Sequence, residues 1–505
     1  MKDLNIIIEE LIEYGKVHLG LEDLDAIYAR NILMHKLNVA SPYEDDLDLD
    51  FIKDLKVPDI LLDELRENLL ASGKENVELL LVDIMGELSP RPSFVADKVL
   101  SLEKEEHGKG LDYLFDLEIK NNYIQKTAID KNIYFKKEYK EDDNFLEITI
   151  NLSKPEKKNS DIAKLISNKV TVKYPKCLLC KENLGYEGRN DHPARENIRI
   201  VPLMLHGEHW FLQYSPYAYF DHHAIIINDE HHNMSINDLT FIKLLEFVNV
   251  FPTFFVGSNA DLPIVGGSIL NHEHYQGGLH LLPVFYSHDR KVFIKNDRIK
   301  VSSLNWYNTV IRLEGKYPQE ISDMAVKIFH KWKDYDDSSV DVLSHSGATR
   351  HSTITPIARK IGDTYQLNLI LRNNRCSTTY PDGIFHAHPE YHHIKQEGIG
   401  LIEAMGLFIL PPRLKRQMGY IEEILTSDEE VKNFFNKYED LSIHKQMVND
   451  LIAKYGRNVT EEVANKAIQD YLAETCKNIL CNTAVFKNDE KGIKALDKFM
   501  EGIGD

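Results

Sequence analysis

The stretch NHEHYQGG, Asn271 to Gly278, sets two imidazoles two residues apart, then a glutamine two residues further on. In extended backbone the side chains alternate, so His272, His274 and Gln276 project from one face. Imidazole has a reference pKa of about 6.5, which leaves an unprotonated nitrogen near neutrality that can attack phosphorus without strong activation. A backbone carbonyl can hold the other ring nitrogen. Gly277 and Gly278, with Gly266, Gly267 and Ser268 upstream, supply backbone that can approach phosphate oxygens and donate N–H groups. The same His-x-His spacing also serves a structural pair or a metal site, so the motif alone leaves those readings open.

Cysteine and histidine offer a second chemistry. Five cysteines in 505 residues are too few for a disulfide framework, but Cys177 and Cys180 form C-x-x-C. Two thiolates at that spacing reach one ion from a single knuckle, and the other two ligands must come from elsewhere. A thioredoxin-like redox role is disfavoured, because no strand-to-helix context surrounds the pair. Further along, SHSGATRHSTITP and HAHPEYHH carry His345, His351, His386, His388, His392 and His393, which could bind metal, line a cleft or simply pack. Arg91, in LSPRPS, and Arg189, Arg195 and Arg199, after the C-x-x-C, are candidates for phosphate contacts or for ordinary ion pairs. SGKEN, residues 72–76, lacks the first glycine and the hydroxyl of a phosphate-binding Walker loop, which argues against kinase chemistry of that type.

The elements that must position these residues read as α+β. Apolar residues recur at helical spacing from 1 to about 85, with Ile7, Leu11 and Tyr14 and then Ala26, Ile27, Ala29, Ile32 and Leu33. EDDLDLD, 44–50, reads as a solvated loop. Alternation at Leu146, Ile148, Ile150 and Leu152 predicts a hairpin, and KPEKKNS a polar connector. Between about 196 and 285 short strands dominate, interrupted by one helix from about Ile236 to Val250 with Ser235 and Asp238 as its capping box. The connections are too short for crossover helices, so the sheets should be mostly antiparallel. A similar plan recurs after 300: a strand in LNWYNTVIRLEG, a helix in PQEISDMAVKIFHKWKDY, a hairpin in STITPIARK and TYQLNLILRNN, then GIFHAHPEY. Helical periodicity returns from about 420.

Composition narrows the function classes. At 43% hydrophobic and 28% charged the chain is of the ordinary globular kind. No run approaches the roughly 18 consecutive apolar residues of a membrane span, and Glu9, Glu10 and Glu13 break up the amino-terminal apolar run, so a cytoplasmic protein is expected. A formal charge of −19 opposes general affinity for nucleic acid or anionic lipid, and any phosphate ligand must meet a local basic pocket.

Four blocks carry a specific resemblance: YPKCLLCKENLGYEGRNDHPARENIRIVP, QYSPYAYFDHHAIII, GSNADLPIVGGSILNHEHYQGG and GIFHAHPEYHHIKQEGIGLIEAMGLFILPPRL. Together with ELSPRPS they resemble the type 2 galactose-1-phosphate uridylyltransferases of bacteria, over most of the chain. The resemblance implies two fused histidine-triad-like units with mostly antiparallel sheets, flanked by helical ends: a helical segment over 1–85, a catalytic unit over 86–290, a second unit over 291–418 and a helical segment over 419–505. It implies a reaction of galactose metabolism, a double displacement in which a histidine takes the uridylyl group of UDP-glucose and passes it to galactose 1-phosphate. Type 1 relatives carry His-Pro-His-x-Gln, which maps onto His272, His274 and Gln276 and makes His274 the nucleophile. Relatives that hydrolyse their nucleotide carry a third histidine where Gln276 stands. An amide can donate to a phosphoryl oxygen but cannot supply a proton as imidazolium does, which favours transfer to a sugar phosphate over water.

The same resemblance implies further sites. Arg91, Asn259, Gly266, Gly267 and Ser268 fall where the family contacts the nucleotide phosphates, and Glu403 where it contacts sugar hydroxyls. Zinc is implied at Cys177, Cys180, His223 and His272, with His222 competing for the third position. A second metal, iron or zinc, is implied at His351, His386 and His388. Type 1 relatives complete each active site across a dimer, so a homodimer is raised here. Two other classes stay in view: a nucleotide hydrolase or phosphorylase of the histidine-triad superfamily, and a non-catalytic zinc-containing nucleotide-binding protein. A covalent nucleotide on His274 separates the transferase from the binding protein.

Overall fold

The computed structural model describes residues 2–153 and 173–503; the connector KPEKKNS, 154–160, lies outside them. The chain divides into two compact units, both discontinuous in sequence. One takes Met1–Lys131, Lys157–His232 and His272–Leu279, and the other Asn132–Glu156, Asn233–Asn271 and His280–Asp505. These units are drawn differently from the four contiguous segments that the resemblance implies. The strand bearing His274 belongs with partners far back in the chain, and pairing register is something local periodicity does not report.

The first unit opens with helices Leu4–Tyr14, Asp23–Leu37, Asp59–Ala71 and Val77–Leu88, followed by Pro92–Glu105 and Lys109–Lys120. Ile7, Ile8, Leu11 and Ile12 of the first helix are buried, and each such side chain contributes roughly 1.5–3 kcal/mol. Pro92 opens its helix at a position where the missing N–H is not needed. The unit's sheet is antiparallel, in the order Val201–Leu205, Glu208–Tyr214, Ala224–Asn228, His274–Gly278. Buried polar groups tie the helices to this sheet. The Glu118 carboxylate accepts from the Arg199 backbone N–H at 2.9 Å, and Tyr214 donates to the Leu111 carbonyl at 2.9 Å. Asn121 and Asn197 each donate to the other's backbone carbonyl, at 2.7 and 3.0 Å. Burial pushes the Glu118 carboxyl well up, so it binds as an acceptor held by geometry rather than as a surface charge.

The second unit holds six antiparallel strands in the order Phe255–Ser258, Ser352–Ile361, Thr364–Asn373, Val310–Gly315, Ile299–Leu304, Asp289–Lys295. The expected hairpin at STITPIARK and TYQLNLILRNN is its centre, with Ile361 opposite Thr364 and Gly362 at φ +56° in the tight turn. Helices Asp238–Val250 and Pro318–Lys333 pack on each other and on this sheet. The cap of the former is Asn237, with Thr240 closing the box, rather than Ser235 and Asp238; the helix starts two residues later than expected, and the Asn side-chain oxygen accepts from the first-turn N–H groups as well as a Ser hydroxyl does. A separate sheet joins the hairpin Ile133–Tyr139 and Asn144–Ile150 to Leu407–Leu410, which runs parallel to the latter. Arg413–Thr426, Lys445–Tyr455, Glu461–Thr483 and Glu490–Met500 supply the helical end. The class is α+β with mostly antiparallel sheets, as expected. Among the described residues no helix is long and apolar enough to cross a membrane.

Trp332 anchors the helix Pro318–Lys333: its indole is fully buried against Phe486 and Phe499, and its N–H donates to the Thr353 carbonyl at 2.9 Å. Trp332→Ala is expected to destabilise the protein by about 3–5 kcal/mol in a denaturant titration; a change below about 1 kcal/mol would contradict this packing.

Candidate active site

The C-x-x-C forms a tight knuckle. Leu179 donates its backbone N–H toward Cys177 Sγ at 3.4 Å, and the Asn183 amide donates to the carbonyls of Cys177 and Cys180 at 2.9 and 2.7 Å. His192 in turn lies 2.6 Å from Asn183 Oδ1. The two sulfurs sit 3.5 Å apart; His272 Nδ1 is 3.3 Å from Cys177 Sγ and 3.7 Å from Cys180 Sγ, and His231 Nδ1 is 3.1 Å from Cys180 Sγ. All four donor atoms lie within 4.8 Å of one another. Metal bonds of about 2.0–2.3 Å would give tetrahedral edges of roughly this length, so two thiols and two imidazoles here can hold a metal. His272 Nε2 donates to the Asn228 carbonyl at 2.8 Å, which turns the Nδ1 lone pair toward the sulfurs and supplies the outer hydrogen bond typical of ligating histidines. Burial holds His272 down at about 4, in its neutral ligand form. Burial, with Cys177 beside it, pushes the Cys180 thiol up to about 12, a penalty that a bound cation would reverse.

His231, not His223, fills this cluster. The reason is register: Ile227 pairs with His274 and Ala224 with Gly277, so the strand Ala224–Asn228 carries the chain toward His272 and away from His223. Just past that strand Glu273 donates its N–H to the His232 carbonyl at 2.8 Å, which brings His231 level with His272. His223 instead lies at the opposite end of the pairing, 3.1 Å from Gln276 Oε1. His222 diverges from it through a left-handed backbone at φ +55°, pairs with Asp221 at 2.8 Å and stacks on Phe115.

His274 is buried at the start of its strand, and its Nδ1 lies 2.8 Å from the His272 carbonyl. A carbonyl only accepts, so Nδ1 carries the proton and Nε2 the lone pair. Burial lowers the His274 pKa, which keeps that lone pair available. Gly278 serves packing here: a Cβ would stand 2.5 Å from Phe220 and 2.9 Å from the His222 carbonyl.

In the second unit a Cβ on Gly266 would meet the carbonyls of Ala260 and Leu262 at 2.6 Å, and one on Gly267 would meet the Asn259 amide at 2.8 Å. Asn259 Oδ1 accepts from the Leu401 N–H at 2.8 Å. Ser268 lies in the same loop, exposed. Glu403 spans two donors, the Gly400 N–H at 3.2 Å and the Lys395 ammonium at 3.0 Å. Burial alone would lower Lys395, but the carboxylates of Glu403 and Glu397 outweigh it and hold the ammonium raised. His351, His386 and His388 do not converge. Both ring nitrogens of His351 are taken, by Asn374 at 2.9 Å and Ser346 at 2.8 Å; His388 donates to the Ile384 carbonyl at 3.1 Å and stacks on Tyr380. Burial, reinforced by the charge of the Arg372 guanidinium, pushes His386 down to about 4. HAH lies in an irregular segment leading into the short turn Pro389–Tyr391, so the alternation of a strand does not apply. Among the described residues the Cys177, Cys180, His231, His272 group is the one arrangement of its kind.

Comparison with known proteins gives the family. The models described as galactose-1-phosphate uridyl transferase, N-terminal and C-terminal domains, match residues 60–239 and 246–447. A galactose-1-phosphate uridylyltransferase of Caldanaerobacter subterraneus subsp. tengcongensis is 42% identical over 100% of this chain and 98% of its own. The chain belongs to the galactose-1-phosphate uridylyltransferase family. Relatives of the same name from Fusobacterium nucleatum and Clostridium acetobutylicum are each 40% identical, over 99% and 98% of this chain and 98% and 99% of theirs.

Against that background the arginines separate. Arg199 is a buried staple, donating to the carbonyls of Pro90, Glu196 and Ile198 at 2.6, 2.9 and 2.7 Å. Arg189 binds Asp191, Tyr186 and the Tyr174 carbonyl, and Arg195 lies over the Tyr123 ring. Arg91 alone of the four is exposed, at the amino-terminal cap of Pro92–Glu105. His231 was the residue that spacing missed; DEHH immediately after AIIIN, on a strand antiparallel to HEHYQ, is the signal that finds it.

Elemental analysis of the purified protein should find one metal ion per chain, lost in His231→Ala and retained in His223→Phe. Loss in the second variant and retention in the first would contradict the placement of these histidines.

Proposed function

We propose that the protein transfers a uridylyl group from UDP-glucose to galactose 1-phosphate through a covalent uridylyl-histidine at His274. In the first step the Nε2 lone pair of His274 attacks the α-phosphorus. The P–N bond forms as the bond to glucose 1-phosphate breaks, and the electron pair leaves on the phosphate oxygen. In the second step a phosphate oxygen of galactose 1-phosphate attacks the same phosphorus, and the P–N electron pair returns to Nε2. The observation that carries this reading is the 2.8 Å contact from His274 Nδ1 to the His272 carbonyl, which aims Nε2 and stabilises the ring as it becomes positive.

Attacking and leaving groups are both phosphate oxygens, so neither step needs a proton moved. Gln276 therefore suits the position: its amide can donate to a phosphoryl oxygen without offering a proton. Water would need a base to take its proton, which weighs against the hydrolase reading. We assign zinc to Cys177, Cys180, His231 and His272, on the mixed thiol and imidazole donor set; bound there it would hold His272, and hence the nucleophile's carbonyl partner, in place. Arg91, Asn259, Gly266, Gly267 and Ser268 are assigned to phosphate contacts. Glu403, already engaged with Lys395, is assigned to sugar hydroxyls.

Mixing the protein with UDP-glucose should release glucose 1-phosphate and add the mass of one uridylyl group per chain, removed by galactose 1-phosphate. His274→Ala should lower transfer by at least about 10³-fold, as loss of a covalent nucleophile does. A variant retaining full activity, or a wild-type chain that never gains the mass, would overturn the proposal.

A further inference from the structure

His223, displaced from the metal cluster, has a buried imidazole, 2% exposed, that the transfer chemistry above does not use. Its ring stacks on Tyr219 at 5.3 Å and leans on Phe220 at 4.6 Å. Nε2 lies 3.1 Å from Gln276 Oε1, while Nδ1 is buried without a hydrogen-bond partner. Those facts decide the tautomer. With the proton on Nδ1 a buried N–H would be orphaned, whereas with the proton on Nε2 only a lone pair is, and orphaned donors are the rarer and costlier case. Nε2–H therefore donates to Gln276 Oε1. Burial pushes the His223 pKa down to about 4, so the ring stays neutral.

A glutamine amide is nearly symmetric in shape, and its two orientations present opposite chemistry: a donor NH2 or an acceptor oxygen. Gln276 sits on the strand that starts with the nucleophile, opposite Ile225, and its side chain is part exposed. Holding its oxygen on His223 turns the NH2 away from that ring. A phosphoryl oxygen can only accept, so the orientation opposite to this one would set oxygen against oxygen.

We infer that His223 is a positioning residue that locks the Gln276 amide with its NH2 toward the phosphoryl group being transferred. The inference rests on the uridylyl-transfer reading and adds a residue to it. His223 touches no reacting atom; it acts through Gln276. The protein carries the lock in a neutral, packed imidazole, so it does not compete for the phosphate or for the metal.

The test is single-turnover uridylylation by UDP-glucose in wild type, His223→Phe, His223→Gln, Gln276→Ala and the double variant His223→Phe/Gln276→Ala, with metal content measured in each. His223→Phe keeps the aromatic packing and removes the donor; its uridylylation rate should fall about five- to tenfold with the metal retained. His223→Gln, which can donate from its own amide, should recover part of that loss. In the Gln276→Ala background the His223→Phe change should have little further effect. An unchanged rate in His223→Phe, an equal loss with and without Gln276, or loss of metal would overturn the inference. If the wild-type chain itself fails to become uridylylated, the transfer reading falls; if it labels normally and His223→Phe labels as fast, only the lock does.

Discussion

The arrangement at the strand His274–Gly278 depends on one hydrogen bond from a side chain to the backbone two residues before it. The carbonyl of His272 accepts the Nδ1 proton of His274 at 2.8 Å, while the ring of His272 faces two thiols with Nδ1 and fixes itself to the Asn228 carbonyl with Nε2. One residue thus couples a rigid cluster to the imidazole two positions on. An imidazole with two rotatable side-chain bonds and two interchangeable tautomers, the nucleophile of the proposed reaction, is reduced to one lone pair in one direction. Orientation of this kind is how a phosphoryl-transfer site gains rate when little other covalent chemistry falls to the protein.

The surrounding structure serves that constraint. The strand Ala224–Asn228 pairs with His274–Gly278 and, by its direction, delivers His231 to the thiol and imidazole cluster at one end and His223 to Gln276 at the other. The knuckle is stiffened by Asn183, and Asn183 by His192. Behind the sheet, Glu118, Asn121 and Tyr214 bind helices and strands through buried hydrogen bonds. Each of these groups is expensive to leave unpaired, so together they specify one arrangement more sharply than apolar packing alone.

Much of this was legible in the sequence. That His272 joins Cys177 and Cys180 was implied by the resemblance rather than by spacing, and their donor atoms do lie together; the C-x-x-C knuckle and the strand motif are themselves local structures. The hairpins at 133–150 and 352–373, and the helix at 318–333, follow from periodicity for the same reason. What failed was non-local or depended on a strand that did not form. His223 and His231 are eight residues apart, and only the register with the 274–278 strand chooses between them. His351, His386 and His388 were a ligand set only by the resemblance; HAH is irregular, and His351 and His388 are engaged with other partners. The compact units, which interleave in sequence, are likewise a matter of pairing partners that no window of residues contains.

The measurement closest to the central claim is nitrogen-15 and phosphorus-31 NMR of the protein with labelled histidine, before and after UDP-glucose. At rest His274 should show its proton on Nδ1 and an unprotonated Nε2; after donor is added, phosphorus should couple directly to Nε2 with the Nδ1 proton still in place. Coupling to Nδ1, or phosphorus on any other residue, would contradict the account.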